Sequence, residues 1–198
     1  GNNIVDYKEN QILIDCKKIR LKGKHNIENI LASIQIAKLF AIDNAAIKDA
    51  ILNFDPLEHR MELVETKDNV TYINDSKATN IRSTIKAIES SNQKTILILG
   101  GCSKGKTNYK KHLDIRLNNI LTIICYGLEG ENIYKQLKDI YSCQYIKEFK
   151  KAIVASINMA KINHRVLLSP ACSSYDQFNN FEERGNEFKR IVKKHVIL

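Results

Sequence analysis

Three short segments of the chain concentrate residue types that bind anions and other polar ligands. The first, Asn74 to Asn80, holds a carboxylate, two hydroxyls, an ammonium group and two amides. The second, Gly100 to Lys104, is a glycine pair followed by a lysine, and the third, Ser169 to Ser174, carries three hydroxyls. Glycine lets the backbone approach a ligand closely, and lysine supplies a point charge to a carboxylate or phosphate. Together these segments predict an anion-binding site.

An ordinary helix N-cap is the alternative interpretation of the first segment. Ser76, Thr79 and Asn80 could each satisfy amides at the start of a helix. One cap needs only one such residue, and helix N-termini attract anions, so the cluster favours a binding site. Asp75 cannot pair with an anion; it suits ribose hydroxyls or a nearby cation.

Motifs for other chemistries do not occur in the sequence. The glycine pair matches neither G-x-G-x-x-G nor G-x-x-x-x-G-K-[ST], so we predict no dinucleotide fingerprint and no phosphate loop. The five cysteines are scattered without C-x-x-C spacing, which favours reduced thiols in a cytoplasm and disfavours zinc. No histidine is linked to Cys172 by spacing, and we interpret this cysteine as structural. We therefore expect no metal ligands and assign no catalytic residue.

The elements that would position these segments alternate between strands and helices after Pro56. The apolar runs 95–99 and 120–125 indicate strands buried on both faces, and helical patterns lie between the strands. This favours an α/β, Rossmann-like, mostly parallel sheet with helices on both faces, whose ligands bind beyond the carboxyl ends of the strands. The predicted strands are 61–64, 70–74, 95–99, 121–126, 143–146 and 165–169, and the predicted helices are 80–90, 130–138, 149–160 and 174–194.

A domain boundary is predicted near Pro56, because helices normally end before the residue that precedes a proline. Residues 1–53 then form one part of the chain and residues 54–198 another. The first part contains a strand around residues 11–21, a helix from Asn26 and a second helix with Asp43 as N-cap. Its early isoleucines and Val5 would pair with strands outside the chain, so we expect fraying or intermolecular pairing there.

Composition and charge describe a globular chain with an excess of positive charge. Hydrophobic residues make up 43% and charged residues 27%, and no apolar run is long enough to cross a membrane. The net charge is +9, but lysine supplies 24 of the 31 basic residues and is spread along the chain. We therefore expect an anionic small substrate rather than nucleic acid or a membrane.

Taken in order, these motifs resemble those of the Mur ligases, and most closely those of the D-glutamate-adding branch of the family. The matching residues extend from residue 23 to residue 188. They are His25, Asn26 and Asn29; His59 and Arg60; residues 74–80; Gly100 and Gly101; residues 167–172; Asp176, Gln177 and Phe178; and Phe181, Glu182, Arg184 and Gly185.

The resemblance implies a cytoplasmic ligase in peptidoglycan synthesis that joins D-glutamate to UDP-N-acetylmuramoyl-L-alanine through an acyl phosphate, using ATP and Mg²⁺. Residues 1–53 would be the end of its central ATP-binding domain, and residues 54–198 its C-terminal D-glutamate-binding domain. The family's phosphate loop and magnesium ligands do not occur in this sequence. The chain alone is therefore expected to be inactive, and the full-length enzyme to be a monomer.

The resemblance also implies roles for individual residues. Asn26 and Asn29 would contact adenine, Arg60 the phosphates and Asp75 the ribose hydroxyls. The family commonly has an acidic residue near the position of Cys102, and its absence leaves open whether Lys104 or Lys106 takes the substrate-binding role. The pocket for D-glutamate would consist of Lys77, Thr79, Lys104, Ser174 and Phe181.

Two other interpretations of the sequence remain open. Within the same class, the chain could belong to a ligase that adds another amino acid, or to a folylpolyglutamate synthetase. In a different class, it could be a stand-alone module that binds a nucleotide or precursor without catalysis.

Overall fold

The computed structural model describes residues 3–6, 11–21, 24–113 and 117–197. The chain forms two compact units, Gly1–Leu57 and Glu58–Leu198, and the division falls just after Pro56. The predicted boundary, between residues 53 and 54, lies four residues earlier. The assignment of the two parts to domains of a larger ligase stays a prediction.

The first unit combines two strands with two helices. Strand β1 (Asn3–Asp6) pairs antiparallel with β2 (Gln11–Asp15), and a 3₁₀ turn (Cys16–Lys18) follows. Helices α1 (Lys24–Leu39) and α2 (Asn44–Asn53) complete the unit, and the Asp43 carboxylate caps α2 by accepting from the amides of Ala45 and Ala46. The apolar core of the unit consists of Ile4, Leu13, Ile14, Ile19, Ile30, Ile34 and Ile47.

The two strands of the first unit pair with each other, and the expectation of fraying or intermolecular pairing at their outer edges stays a prediction. Ile4 lies opposite Ile14 in the β1–β2 ladder, and both side chains are buried. The two strands satisfy each other's backbone groups on their paired edges. The isoleucines find their apolar partners in the helices of the same unit.

The second unit is built on a six-stranded sheet in the order β3-β4-β8-β5-β6-β7. Strands β3 and β4 form an antiparallel hairpin, and every other neighbouring pair is parallel. The prediction of a mostly parallel α/β sheet is therefore confirmed. The strands are β3 (Glu62–Lys67), β4 (Val70–Asn74), β5 (Lys94–Gly100), β6 (Ile120–Tyr126), β7 (Cys143–Tyr145) and β8 (His164–Ala171).

Helices cover both faces of this sheet, as predicted. One apolar cluster joins residues of α6 and α7 to one face, and a second joins residues of α3, α4 and α5 to the other. None of the helices in the described ranges is long and apolar enough to span a membrane. The helices are α3 (Ile81–Glu89), α4 (Tyr109–His112), α5 (Gly127–Leu137), α6 (Phe149–Met159) and α7 (Phe181–Val192), and a π-helical turn (Lys193–Ile197) continues α7.

Helix α7 begins seven residues later than predicted. Residues 174–178 form a turn instead, in which the Ser174 carbonyl accepts hydrogen bonds from the amides of Gln177 and Phe178. The Asn180 side chain then caps α7 by accepting from the Glu183 amide. The short helix α4 was not predicted, because four residues are too few to show a helical period.

Candidate functional site

The three polar segments meet at the carboxyl edge of the sheet, because β4, β8 and β5 are neighbours in the sheet order. The segment after β4 is joined to the end of β8 by the Ala171 amide, which donates to the Ala78 carbonyl at 2.9 Å. The segment after β5 is joined to the segment after β8 by reciprocal backbone hydrogen bonds between Cys102 and Ser173, at 2.9 and 3.0 Å. These bonds form one continuous surface from three distant parts of the sequence.

Asp75 lies directly after β4 and is only 5% exposed. One carboxylate oxygen accepts from the Met61 amide at 3.2 Å, and the other accepts from the Ser169 hydroxyl at 2.8 Å. Burial raises the pKa of Asp75 from 3.8 to about 6, although both hydrogen bonds and the charge of Arg60 favour the ionised form. Asp75 is therefore mostly ionised at pH 7, although its buried environment disfavours the charged form.

A completely buried arginine lies behind the surface. From the first turn of α7, Arg184 donates to the Ser76 hydroxyl at 2.9 Å and to the Ser76 carbonyl at 2.7 Å. It also donates to the Cys172 carbonyl at 3.1 Å and to the Tyr126 hydroxyl at 3.2 Å. Four hydrogen bonds thus connect one side chain to the ends of β4, β8 and β6.

A second buried network involves His59, which is 4% exposed. The Asn74 side-chain amide donates to His59 Nδ1 at 2.9 Å and to the Glu62 carboxylate at 2.9 Å. Burial lowers the pKa of His59, and the positive charge of Lys189 lowers it further. The ring is therefore neutral at pH 7, with Nδ1 as an acceptor. The backbone carbonyl of His59 accepts from the Lys77 amide at 3.0 Å, which joins the residues before β3 to the segment after β4.

The structure brings together two of the residues that the resemblance implies for D-glutamate binding. The Lys77 ammonium group lies 5.7 Å from the centre of the Phe181 ring, which is within cation–π range. The Ser76 hydroxyl donates to the Phe181 carbonyl at 2.8 Å, which joins the start of α7 to the segment after β4. Thr79 is half-buried, and its amide donates to the Lys77 carbonyl at 2.9 Å.

Lys104 and Ser174 both follow the Cys102–Ser173 bridge, on opposite sides of it. Lys104 is exposed, whereas Ser174 is 2% exposed and its carbonyl closes the turn before α7. Lys106 is also exposed. Their roles toward a ligand stay predictions.

The nucleotide-binding residues that the resemblance implies divide between the two units. Arg60 is exposed and Asp75 is buried in the second unit, where the charge of Arg60 acts on the Asp75 carboxylate. Asn26 and Asn29 lie in the first two turns of α1, and the three-residue spacing gives them the same face of that helix. The side chain of His25 lies outside the described part of the chain.

Cys172 is buried, and its sulfur lies 3.3 Å from the Tyr109 hydroxyl. Burial raises the pKa of this thiol to about 11, so little thiolate exists at neutral pH. This environment agrees with a structural role. Within the described ranges, no three His, Cys, Asp or Glu side chains come together in a way that could hold a metal ion.

Sequence reasoning missed the buried side chains that support the surface. Arg184 and His59 appeared in the motifs only as matching residues, and Tyr126 was not singled out. One signal was available: Arg184 lies on the same helical face as Phe188 and Ile191, which are buried. A charged residue on an apolar face has to find buried partners.

The described groups at this edge can bind and orient an anionic ligand. Lys77, Lys104 and Arg60 provide exposed positive charge, and the segment hydroxyls provide hydrogen bonds. Such a site could hold a carboxylate or a phosphate.

Comparison with known proteins identifies relatives of the whole chain. Residues 59–172 match the family described as Mur ligase, glutamate ligase domain. The UDP-N-acetylmuramoylalanine–D-glutamate ligase of Clostridioides difficile is 38% identical over 96% of this chain, and that of Elusimicrobium minutum is 41% identical over 88%. This chain covers 42% and 39% of those two proteins, respectively, so it spans about two fifths of their length.

Solved structures share the fold at low sequence identity. A UDP-N-acetylmuramate–alanine ligase from Thermotoga maritima superimposes with a TM-score of 0.67 at 16% identity, over 89% of this chain and 39% of that one. A ligase from Acinetobacter baumannii that acts on UDP-N-acetylmuramoylalanyl-D-glutamyl-2,6-diaminopimelate and D-alanyl-D-alanine gives 0.62 at 12% identity, over 88% of this chain and 38% of that one.

Proposed function

Because the chain belongs to the Mur ligase family, we propose that its second unit is the D-glutamate-binding part of an ATP-dependent ligase. Relatives that are 35–41% identical carry the name UDP-N-acetylmuramoylalanine–D-glutamate ligase, which supports this choice of amino acid over others. The proposed setting is peptidoglycan synthesis, and hence cell-wall growth and division, in the cytoplasm.

The proposed reaction has two steps. A carboxylate oxygen of UDP-N-acetylmuramoyl-L-alanine attacks the γ-phosphorus of ATP; the new O–P bond forms, the bond to ADP breaks, and ADP leaves. The resulting acyl phosphate replaces a poor leaving oxygen with phosphate. The amine nitrogen of D-glutamate then attacks the acyl carbon; the new C–N bond forms, the C–O bond to phosphate breaks, and the amine loses a proton. The part that this chain would perform is the placement of that amine, because orientation supplies much of the acceleration of such a step.

The observation that carries the proposal is the meeting of the three polar segments at one edge of the sheet. D-glutamate has two carboxylates, and Lys77 and Lys104 would neutralise them on either side of the site. The hydroxyls of Thr79 and Ser174 would supply directional hydrogen bonds, which a dicarboxylate accepts well. Phe181 would pack against the aliphatic part of the ligand while its ring faces Lys77.

For ATP we propose the contacts that the family resemblance implies. Asn26 and Asn29 would contact adenine, Arg60 the phosphates and Asp75 the ribose hydroxyls. A carboxylate has about four acceptor positions, so Asp75 retains capacity beyond its bonds to Met61 and Ser169. The described residues include no group of three His, Cys, Asp or Glu side chains that could hold a metal ion, and we assign no step to Mg²⁺ on them.

A chemical-shift titration of the chain with D- and L-glutamate tests the proposal. We expect weak binding, with a Kd on the order of 1 mM, and a preference of about tenfold for the D form. Lys77→Met should weaken the binding about tenfold, since it removes a charge-assisted hydrogen bond. Lys86→Met, which changes an exposed lysine of α3, is the matched control and should leave binding unchanged. Equal binding of the two enantiomers would contradict the proposal.

A further inference from the structure

We propose that Arg184 is a positioning residue of this site, which holds the segments after β4 and β8 in their binding geometry through its buried guanidinium group. Its effect on D-glutamate rests on the proposed function, whereas its effect on the two segments does not. Arg184 is among the largest completely buried side chains of the chain. It would act through backbone carbonyls and hydroxyls without touching the ligand.

Arg184 is hydrogen-bonded to residues that lie just before the proposed ligand contacts in the sequence. Ser76, which accepts two of them, directly precedes Lys77, and Cys172 precedes Ser174 by two residues. The fourth bond reaches the Tyr126 hydroxyl at the end of β6, which anchors the group to the sheet. A shift of the guanidinium would therefore move both segments together.

The charge of Arg184 is a reason to attribute a function to it. Among the described residues, no carboxylate lies within 4.0 Å of its nitrogens. A buried charge held only by neutral acceptors is expensive compared with an apolar side chain of similar volume. Core packing alone would therefore be better served by leucine or methionine at this position.

Lysine could not replace this arrangement. Arginine has five donors in a rigid planar group, and the four hydrogen bonds that Arg184 donates point in different directions. An ammonium group would keep the charge but could not reach Ser76, Cys172 and Tyr126 at once. The space is also restricted, because a Cβ built on Gly101 would lie 2.2 Å from the Ser173 carbonyl oxygen and 3.2 Å from Arg184 Nη1.

Amide hydrogen exchange of the chain separates positioning from general stabilisation. The diagnostic amides are those of Ala171 and Ser173, which join the segments to each other, and the reference amides are those of residues 96–98 at the buried centre of β5. In both Arg184→Met and Arg184→Lys we expect protection of the diagnostic amides to fall at least about tenfold more than that of the reference amides. Phe188→Leu, which trims a buried side chain one turn along α7, should lower protection evenly.

An even loss in the Arg184 variants, like that in Phe188→Leu, would overturn the proposal. If neither Arg184 variant folds, Tyr126→Phe decides the question, because it removes one acceptor and preserves the packing of the ring. A selective loss at the diagnostic amides then supports the positioning role, and an even loss or no loss rejects it.

The titration with D-glutamate gives a second readout. We expect Arg184→Lys to weaken binding about tenfold at a temperature where the variant is fully folded, with a smaller preference for the D form. Unchanged affinity and enantiomer preference in a folded Arg184→Lys would count against positioning. Absence of D-glutamate binding by the unaltered chain would instead contradict the proposed function, and the exchange experiment would still decide the role of Arg184.

Discussion

The carboxylate of Asp75 accepts a hydrogen bond of 2.8 Å from the hydroxyl of Ser169, although 94 residues separate the two in the sequence. The bond links the end of β4 to β8, its parallel neighbour. It is made by a carboxylate that is almost completely buried, so the contact both positions the segment after β4 and makes it sensitive to pH.

The first prediction concerns pH. The pKa of Asp75 is 3.8 in an unfolded chain and about 6 in the folded one, so the folded state keeps the carboxyl proton up to a higher pH. Its contribution to stability is complete below pH 3.8 and is lost as the pH rises through about 6. Relative to Asp75→Asn, the unaltered chain should lose about 2 kcal/mol of unfolding free energy from pH 4 to pH 7. Urea unfolding at intervals of one pH unit measures this difference.

A carbon-13 titration of the Asp75 carboxyl group is the direct control for that prediction. Its midpoint should lie near 6, well above the ordinary aspartate value of 3.8. A midpoint near 4 would mean that the carboxylate is hydrated in solution, and the pH dependence of stability would then have another source.

The second prediction concerns Gly185, in the first half of α7. A Cβ at this position would lie 2.2 Å from His59 Nδ1, and the His59 ring is buried and bonded to Asn74. Alanine improves the intrinsic helix propensity by about 1 kcal/mol. Overlap in a packed interior costs more than this, so Gly185→Ala should lower the unfolding free energy by about 1–3 kcal/mol. Urea unfolding measures the change.

Gly105→Ala is the matched control, because a Cβ there meets no atom within 4 Å. Its effect should stay within about 0.5 kcal/mol. His59→Ala in the Gly185→Ala background should recover part of the loss, since the overlap disappears with the ring. Additive losses in the double variant would show that His59 is not the cause.

The third prediction distinguishes Lys104 from Lys106. The Ser103 side chain is hydrogen bonded to both the amide and the carbonyl of Gly105, which closes a turn with Lys104 at its centre. Lys106 follows this turn and is further along the chain from the Cys102–Ser173 bridge. We expect Lys104→Met to weaken D-glutamate binding about tenfold and Lys106→Met to leave it within about twofold. The reverse order in the titration would assign the substrate role to Lys106.

The fourth prediction concerns thiol reactivity. Burial raises the pKa of Cys172 to about 11, whereas a hydrogen bond with Cys125 lowers the pKa of the half-buried Cys143. Because the thiolate is the reacting form, iodoacetamide at pH 8 should modify Cys143 at least about a hundredfold faster than Cys172. Mass spectrometry of the peptides follows both rates. In urea the two rates should converge, and rapid modification of Cys172 in the folded chain would contradict its burial.

Local patterns in the sequence were sufficient for most of the sheet. The run from Ile96 to Leu99 is apolar throughout because β5 has neighbours on both edges and helices on both faces. The Asp43 cap of α2 was equally predictable, since the bonds it makes span only two and three residues. Both features depend on the residues of one segment.

The start of α7 could not be predicted in this way. Residues 174–180 have a composition that a helix tolerates, but two of their side chains bind distant amides. The Asp176 carboxylate accepts from the amide of Leu128, and the Gln177 side chain accepts from the amide of Phe149 at the start of α6. These long-range bonds favour the turn, and the local periodicity of the sequence does not reveal them.

The sequence by itself determined the types of element, the sheet class and which three segments carry the polar chemistry. Each of these depends on residues that lie only a few positions apart. Only the tertiary structure decided what supports those segments. Arg184, His59 and Asn74 take their roles from partners up to 111 residues away, and the role of a buried charge or amide can be stated only once its acceptors are known. Burial is a property of the packed chain, which is why the pKa of Asp75 and the position of Arg184 emerged from the fold alone.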